Sequence, residues 1–417
     1  MINLDQNATT QPSPAVVEAV TRGLTECWHN PSSIHRAGQA AKRELELARK
    51  RVAELIGARP KEIIFTGSGT EAIDLAVRGI VHASAKRTVI TTAVEHSAVR
   101  ELVKDARERD VFDLRTLPMN AEGVVDADAL PDLLDDSVAV VSVQWANNET
   151  GAVQPIGRIS RLCRERGIPF HCDGTQWVGK LPADVGSAAR KPAERVDPAS
   201  VTEQAADLGA LIDVLTFAPH KFYGPKGVGC VWVRPGVRVR PVIHGNQELG
   251  RRGGTENVPG IMGAGVAAEE MHAWLANPAE RDRLRALRDL FERLVLEACP
   301  GAKVNGPTAP GSRVWNTTNI GFPRLEADAI LLLLSERGVC ASAGSACASG
   351  SLDPSPVLIA MGVDPVYAHG SVRFSLGIHT TEAEVRQAAE IVRICIEKLG
   401  GSAAPAPANP PEAVARP

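Results

Sequence analysis

Three residues have types and positions that could carry chemistry. Lys221 lies in Ala218-Pro219-His220-Lys221-Phe222-Tyr223-Gly224-Pro225, directly after an apolar run that reads as a strand. Most lysines are solvated surface charges. One held between a buried strand and a rigid Gly-Pro turn is desolvated, which lowers its pKa toward what Schiff-base chemistry and proton transfer require. Asp173, in His171-Cys172-Asp173-Gly174-Thr175-Gln176, ends a second such run, and strand C-termini line the ligand crevice of an open α/β sheet. Taken alone it reads as a helix N-cap; the functional alternative is an acid that keeps a pyridine nitrogen protonated. Cys347 sits within ten consecutive small residues, 342–351. Such a stretch cannot pack a core, so an exposed, mobile loop with an accessible thiol is expected. Cys27, Cys163, Cys230, Cys299 and Cys395 read instead as small buried hydrophobes.

A fourth feature is Gly67-Ser68-Gly69-Thr70, between a strand and a helix. Small residues there let backbone N–H groups approach a phosphate at the helix N-terminus, although an ordinary tight turn looks the same. Gly67, Gly69 and Ala72 also fit the dinucleotide fingerprint, and Glu95 follows the next strand where a ribose-binding acid would sit. A nicotinamide-dependent dehydrogenase therefore stays open. Lys221 and Asp173 on strand ends of one sheet, with a phosphate-type turn at Gly69, fit pyridoxal phosphate better than a nicotinamide, because a dehydrogenase has no need of the lysine.

The elements that must position these residues follow from periodicity. Leu45, Ala48, Val52, Leu55 and Ile56 form one helical stripe that Gly57 ends. Apolar runs at 63–65, 88–92, 138–143, 169–172, 211–217 and 228–233 predict strands, mostly separated by helices. That alternation indicates a mainly parallel sheet covered on both faces. After about residue 259 long helices surround a few strands, including 317–322 and 372–376. The predicted fold is α/β, with a large domain over 15–259 and a smaller α+β domain from 1–14 and 260–399 that carries the Cys347 loop. Residues 183–209 read as a surface insertion, and 400–417, rich in Ala and Pro, as a disordered tail.

Composition narrows the function classes. The 417 residues are 44% hydrophobic and 23% charged, with a net charge of −3, which disfavours a nucleic-acid binder and a polybasic membrane-surface protein. No apolar run approaches the length of a membrane span, and the first ten residues lack the pattern of a secretory signal. Eight cysteines without a CxxC pair then suggest reduced thiols in a cytoplasmic protein, with no structural zinc site.

The motifs together resemble the cysteine desulfurases of the NifS/IscS type, within the class V aminotransferase group, over roughly residues 3–399. The resemblance rests on Leu4-Asp5-Gln6-Asn7-Ala8-Thr9-Thr10, Asn30-Pro31-Ser32-Ser33-Ile34-His35, Gly69-Thr70-Glu71, Glu95-His96, Trp145-Ala146-Asn147-Asn148-Glu149-Thr150-Gly151, Gly253-Gly254-Thr255-Glu256-Asn257, Gly344-Ser345-Ala346-Cys347 and Val372-Arg373-Phe374-Ser375-Leu376. The strings at 145–151 and around Cys347 are most similar to the nitrogen-fixation-associated NifS branch. The resemblance implies a fold-type I pyridoxal-phosphate transferase that converts L-cysteine to L-alanine and leaves the sulfur on Cys347 as a persulfide. It implies that Lys221 holds the cofactor and moves the α-proton, that His96 stacks on the ring and is a candidate proton carrier, that Asp173 pairs with the ring nitrogen, and that Gln176 meets the phenolic oxygen. Gly69, Thr70 and His220 would hold the phosphate, and Thr255 would reach the phosphate of a neighbouring subunit, making a homodimer. Asn148 and Arg373 would grip the substrate carboxylate, with Asn7 as a further substrate contact; an arginine suits this because its planar fork binds both oxygens. An iron–sulfur cluster scaffold would receive the sulfur, and Cys347 could share a cluster transiently during delivery.

The chain departs from the family pattern in places. Ala218 stands where many relatives have a phosphate-binding serine, Asp74 where asparagine is common, and Ala343 replaces a serine. A selenocysteine lyase, or another class V transaminase, shares the cofactor and remains the nearest rival. The small-residue loop around Cys347 argues for persulfide transfer to a partner.

Overall fold

A computed structural model describes residues 1–186, 212–344 and 353–400. Most of the expected insertion at 183–209, all but one residue of the tail at 400–417, and Cys347 itself lie outside the described residues.

The central sheet has seven strands, β2 (Ile63–Thr66), β3 (Thr88–Thr91), β4 (Asp113–Thr116), β5 (Val138–Gln144), β6 (Phe170–Asp173), β7 (Val214–Phe217) and β8 (Gly229–Val233), in the order β2-β8-β7-β6-β5-β3-β4. β8 runs against its neighbours β2 and β7, and every other pairing is parallel. Side chains alternate between two cores, as period two requires. Ile63 and Phe65 of β2, Leu215 and Phe217 of β7, and Cys230 and Trp232 of β8 face one. Ile64, Val214, Val231 and Val233 face the other. All seven residues of β5 are buried, the expected consequence of helices on both faces.

The first core is roofed by helices α1 (Pro14–Thr25) and α2 (Arg36–Leu55) and by the helix Val258–Leu275. Gly57 ends α2 in the left-handed region (φ +64°), as its position predicted. The second core is covered by α3 (Gly69–Ala83) and α4 (Ser97–Glu108). The predicted strands fall on β2, β3, β5, β6, β7 and β8 with end shifts of a few residues. β4 was not predicted. It pairs only with β3 and its side chains are exposed or half-buried, so it has no apolar run to betray it.

A third core lies among the long helices Pro278–Ala298 and Glu382–Lys398, the helix Ala327–Glu336, and the antiparallel strands Lys303–Val304, Thr317–Gly321 and Ser371–Ser375. The chain start joins it. β1 (Ile2–Asn3) pairs in parallel with Val339–Cys340, and Ile2 and Leu4 are buried in this core. Asn7 N then donates to Ser375 Oγ at 2.9 Å, which sets residues 5–8 across the mouth of the central sheet.

Candidate active site

The C-terminal ends of β2, β6 and β7, the start of α4 and the strand Ser371–Ser375 enclose one cavity of about 270 Å³. It is lined by Asn7, Gly69, Thr70, His96, Asn148, Asp173, Gln176, His220, Lys221 and Arg373, all of them anticipated. Thr255 is not brought there. It is exposed, outside the cavity of its own chain.

The phosphate-type turn is built by α3. Ser68 caps the helix by accepting from Glu71 N at 3.1 Å, so Gly69 and Thr70 form its first turn. Glu71 folds back to accept from Gly67 N at 2.7 Å and is paired with Arg252 Nε at 2.7 Å. A Cβ on Gly69 would lie 3.1 Å from the methyl of Ala218, which puts Ala218 directly against the turn. His220 completes this side. Its Nδ1 is 3.2 Å from Thr9 Oγ1, and burial beside Lys221 pushes its pKa down to about 4, so the ring is neutral.

Asp173 ends β6, in register with Gln144 on β5 and Thr216 on β7. It is 4% exposed, and its Oδ1 accepts from Thr175 N at 3.0 Å, so it does cap the following turn. Lys221 closes the short turn Pro219–Lys221 after β7, and its Nζ donates at 2.8 Å to the carbonyls of both Asn7 and Ala8. Gln176 Nε2 donates to that Asn7 carbonyl at 3.1 Å. His96 caps α4, its Nδ1 accepting from Ala98 N at 3.1 Å. Burial lowers the pKa of His96, opposed by Asp173 and reinforced by Lys221. The acceptor role at Nδ1 leaves Nε2 as the atom that carries the proton of the neutral ring.

Arg373 is 2% exposed on its strand. Its Nη2 donates to Asp5 Oδ1 at 2.7 Å, and its Nη1 donates to the carbonyls of Gly344 at 3.0 Å and Asn148 at 3.1 Å. Among the described residues its Nε is buried without a hydrogen-bond partner, an orphaned donor that invites an anionic ligand.

The sequence alone did not single out Glu149, Lys180 or Arg100. Glu149 is 2% exposed and accepts from Ser355 Oγ at Oε2. The same oxygen would lie 2.5 Å from a Cβ on Gly344, whose φ is +96°, so only glycine fits there. Burial raises the pKa of Glu149, opposed by Ser355, Arg373 and Arg100. Its signal was present in Trp145–Gly151, one residue beyond Asn148. Glu95 corrects an expectation. It is fully buried, with Oε1 accepting from Gln144 N at 2.7 Å and a pKa that burial raises well above the usual carboxylate range. It lies behind the cavity and does not line it, so no ribose-binding acid stands there and the dinucleotide reading fails.

The donor set fits pyridoxal phosphate. A helix start with free N–H groups suits the phosphate, a buried carboxylate suits the pyridine nitrogen, an amine suits the aldehyde, and an amide N–H suits the phenolic oxygen.

A family model for class V aminotransferases matches residues 2–188 and 197–387. A cysteine desulfurase of Trichormus azollae is 43% identical over 401 residues, covering 96% of this chain and 94% of that relative. The cysteine desulfurase NifS of Azotobacter vinelandii is 42% identical over 92% and 90% of the two chains. A solved NifS-like protein superposes with a TM-score of 0.82 at 32% identity, over 95% of this chain and 99% of that one. The chain belongs to the class V aminotransferases, in their cysteine desulfurase branch. The resemblance read from the motifs is thereby borne out, as is the fold-type I architecture, and pyridoxal phosphate is the enzyme's cofactor. Among the described residues no helix is long and apolar enough to cross a membrane.

Proposed function

We propose that this enzyme converts L-cysteine to L-alanine with Lys221 as cofactor-bearing lysine and proton carrier and Cys347 as the sulfur acceptor. The observation that carries the reading is the shared cavity. Lys221, Asp173 and the α3 start meet there with Arg373, and Gly344, three residues before Cys347, lines the same space.

Arg373 supplies an N–H fork for the substrate carboxylate, oriented by Asp5 and by two backbone carbonyls. Asn148 flanks it. Bound pyridoxal phosphate supplies an electron sink that makes the substrate's α-proton acidic and its sulfur open to attack. Asp173 holds the proton that keeps that sink electron-poor, and Lys221 Nζ removes the α-proton and returns it. His96 holds a proton at Nε2 for the carbon skeleton or the leaving groups. The Cys347 thiolate attacks the substrate sulfur, so an S–S bond forms and the substrate's Cβ–S bond breaks. The electron pair of that bond stays with the carbon skeleton, which takes up protons and leaves as alanine. No external oxidant is needed.

The buried thiols do not compete. Burial pushes Cys163 up to about 12 and Cys299 to about 11. Thr255, exposed away from its own cavity, serves the phosphate of a second copy, so the working form is a homodimer that passes sulfur to an iron–sulfur scaffold. Replacing Cys347 with alanine should leave the cofactor absorption intact and abolish alanine production. Undiminished alanine and sulfide from that variant would sink the assignment.

A further inference from the structure

Lys180 is 5% exposed, and its position is imposed by the chain around it. Gly179 turns the backbone at φ +79°, where a Cβ would strike Phe222 at 2.5 Å. Lys180 N donates to Trp177 O at 3.0 Å, and Lys180 O accepts from Trp315 Nε1 at 2.8 Å. The side chain is thereby aimed inward, and Nζ donates to Gln176 Oε1 at 2.6 Å and to Asn7 Oδ1 at 2.7 Å. Both acceptors are neutral amides. Burying an ammonium beside neutral groups is expensive, and burial, with Lys221 and Arg373 facing it, holds the pKa of Lys180 well below the usual lysine range.

The two amides differ in how well they are fixed. Asn7 Oδ1 also accepts from Asn316 Nδ2 at 2.9 Å, and Asn7 Nδ2 donates to Thr317 Oγ1 at 2.8 Å and to Asn148 O at 3.1 Å. Its orientation survives the loss of any one contact. Gln176 has fewer anchors: its Oε1 faces Lys180, and one N–H of Nε2 goes to Asn7 O. An amide rotated by half a turn exchanges donor for acceptor. We infer that Lys180 is a positioning residue that orients the amide of Gln176, keeping its second N–H available to an oxyanion in the cavity and its oxygen away from it. This rests on the assignment of Gln176 to the phenolic oxygen of the cofactor.

Visible-light titration of the cofactor-loaded enzyme without substrate separates the possibilities. A donor to the phenolic oxygen stabilises its anionic form, so losing the donor raises the midpoint of the chromophore. Gln176→Met and Lys180→Met should each raise it by about one unit, a tenfold change, and the double variant should rise no further than Gln176→Met alone. A cation acting only through space would instead add its own shift in the double variant. That additivity, or a silent Lys180→Met beside a responsive Gln176→Met, overturns the role of Lys180. A silent Gln176→Met overturns the assignment of Gln176 and the role of Lys180 with it. If Lys180→Met does not fold, the double variant still decides, because it leaves no orphaned amide oxygen at Gln176 and must match Gln176→Met.

Discussion

At the floor of the cavity Asn7, Gln176, Lys180 and Lys221 are joined by hydrogen bonds of 2.6 to 3.1 Å that also reach Asn316 and Thr317. At its rim, Gly344 and Ser355 meet through one side chain, Glu149, while Arg373 holds the Gly344 carbonyl. The floor is over-determined, as a site that must hold a ring and an amine in register needs to be. Among the described residues the rim is held by these two charged groups, by the backbone pair of Ser342 with Arg373, and by the hydroxyls of Ser342 and Ser355. On the proposed roles, cofactor seating at the floor and sulfur handover at the rim therefore rest on different contacts, and they should fail separately.

The largest test of that separation is Arg373→Gln. It removes the carboxylate fork and the tie to Gly344 together, so kcat/KM for L-cysteine should fall about 100-fold, with KM and kcat both affected. A change in KM alone would mean that Arg373 does not couple the rim to the substrate.

The floor carries a pH liability of its own. His171, on β6 behind Asp173, is fully buried between Ser142 Oγ and Thr216 Oγ1, and its pKa is pushed down to about 4 by burial. The unfolded chain takes up a proton near 6.5, so between about 6.5 and 4 the unfolded state binds more protons and stability falls as pH falls. The expected loss between pH 7 and pH 5 is about 2 kcal/mol. His171→Asn should flatten the slope of the melting temperature against pH, and an unchanged slope would remove His171 from the account.

Glu149→Gln keeps the shape of the rim but weakens its charge-assisted contact. Substrate-induced changes in cofactor absorption should stay as in the parent, while persulfide formation on Cys347 slows about tenfold, equivalent to about 1.4 kcal/mol. Equal losses in both steps would erase the distinction between floor and rim. Ser355→Ala removes the neutral partner of Glu149 together with the N-cap of the helix Pro356–Ala360, and should slow the same step a few-fold, about 1 kcal/mol or less.

Much of this arrangement was legible in the residues. Apolar runs gave the sheet, because a strand buried on both faces is mostly apolar, as β5 is from Val138 to Val141. Asp173 and Lys221 were visible because each ends such a run. Arg373 was not, since a single arginine in a strand has no signature of its own, and the family resemblance supplied it. Lys180 and Glu149 look like surface charges in sequence, because only tertiary packing buries them. Glu95 misled for the same reason: its place after β3 was right, and its side chain turned into the protein. The pairing of β1 with Val339–Cys340 joins two-residue strands far apart in the chain, and nothing local announces it.

The tie between the chain's start and its end also sets a timetable. The carbonyls that hold Lys221 belong to Asn7 and Ala8, and Asn7 is seated by Ser375, 368 positions later. A ribosome adds residues in order, and structure far apart in sequence closes late. Even after the central sheet has been made, this last tie on the lysine's seat waits for the final tenth of the chain. Nascent or C-terminally clipped chains that stop short of Ser375 should therefore be catalytically silent, so the cell is spared half-built copies that trap cofactor or liberate sulfide.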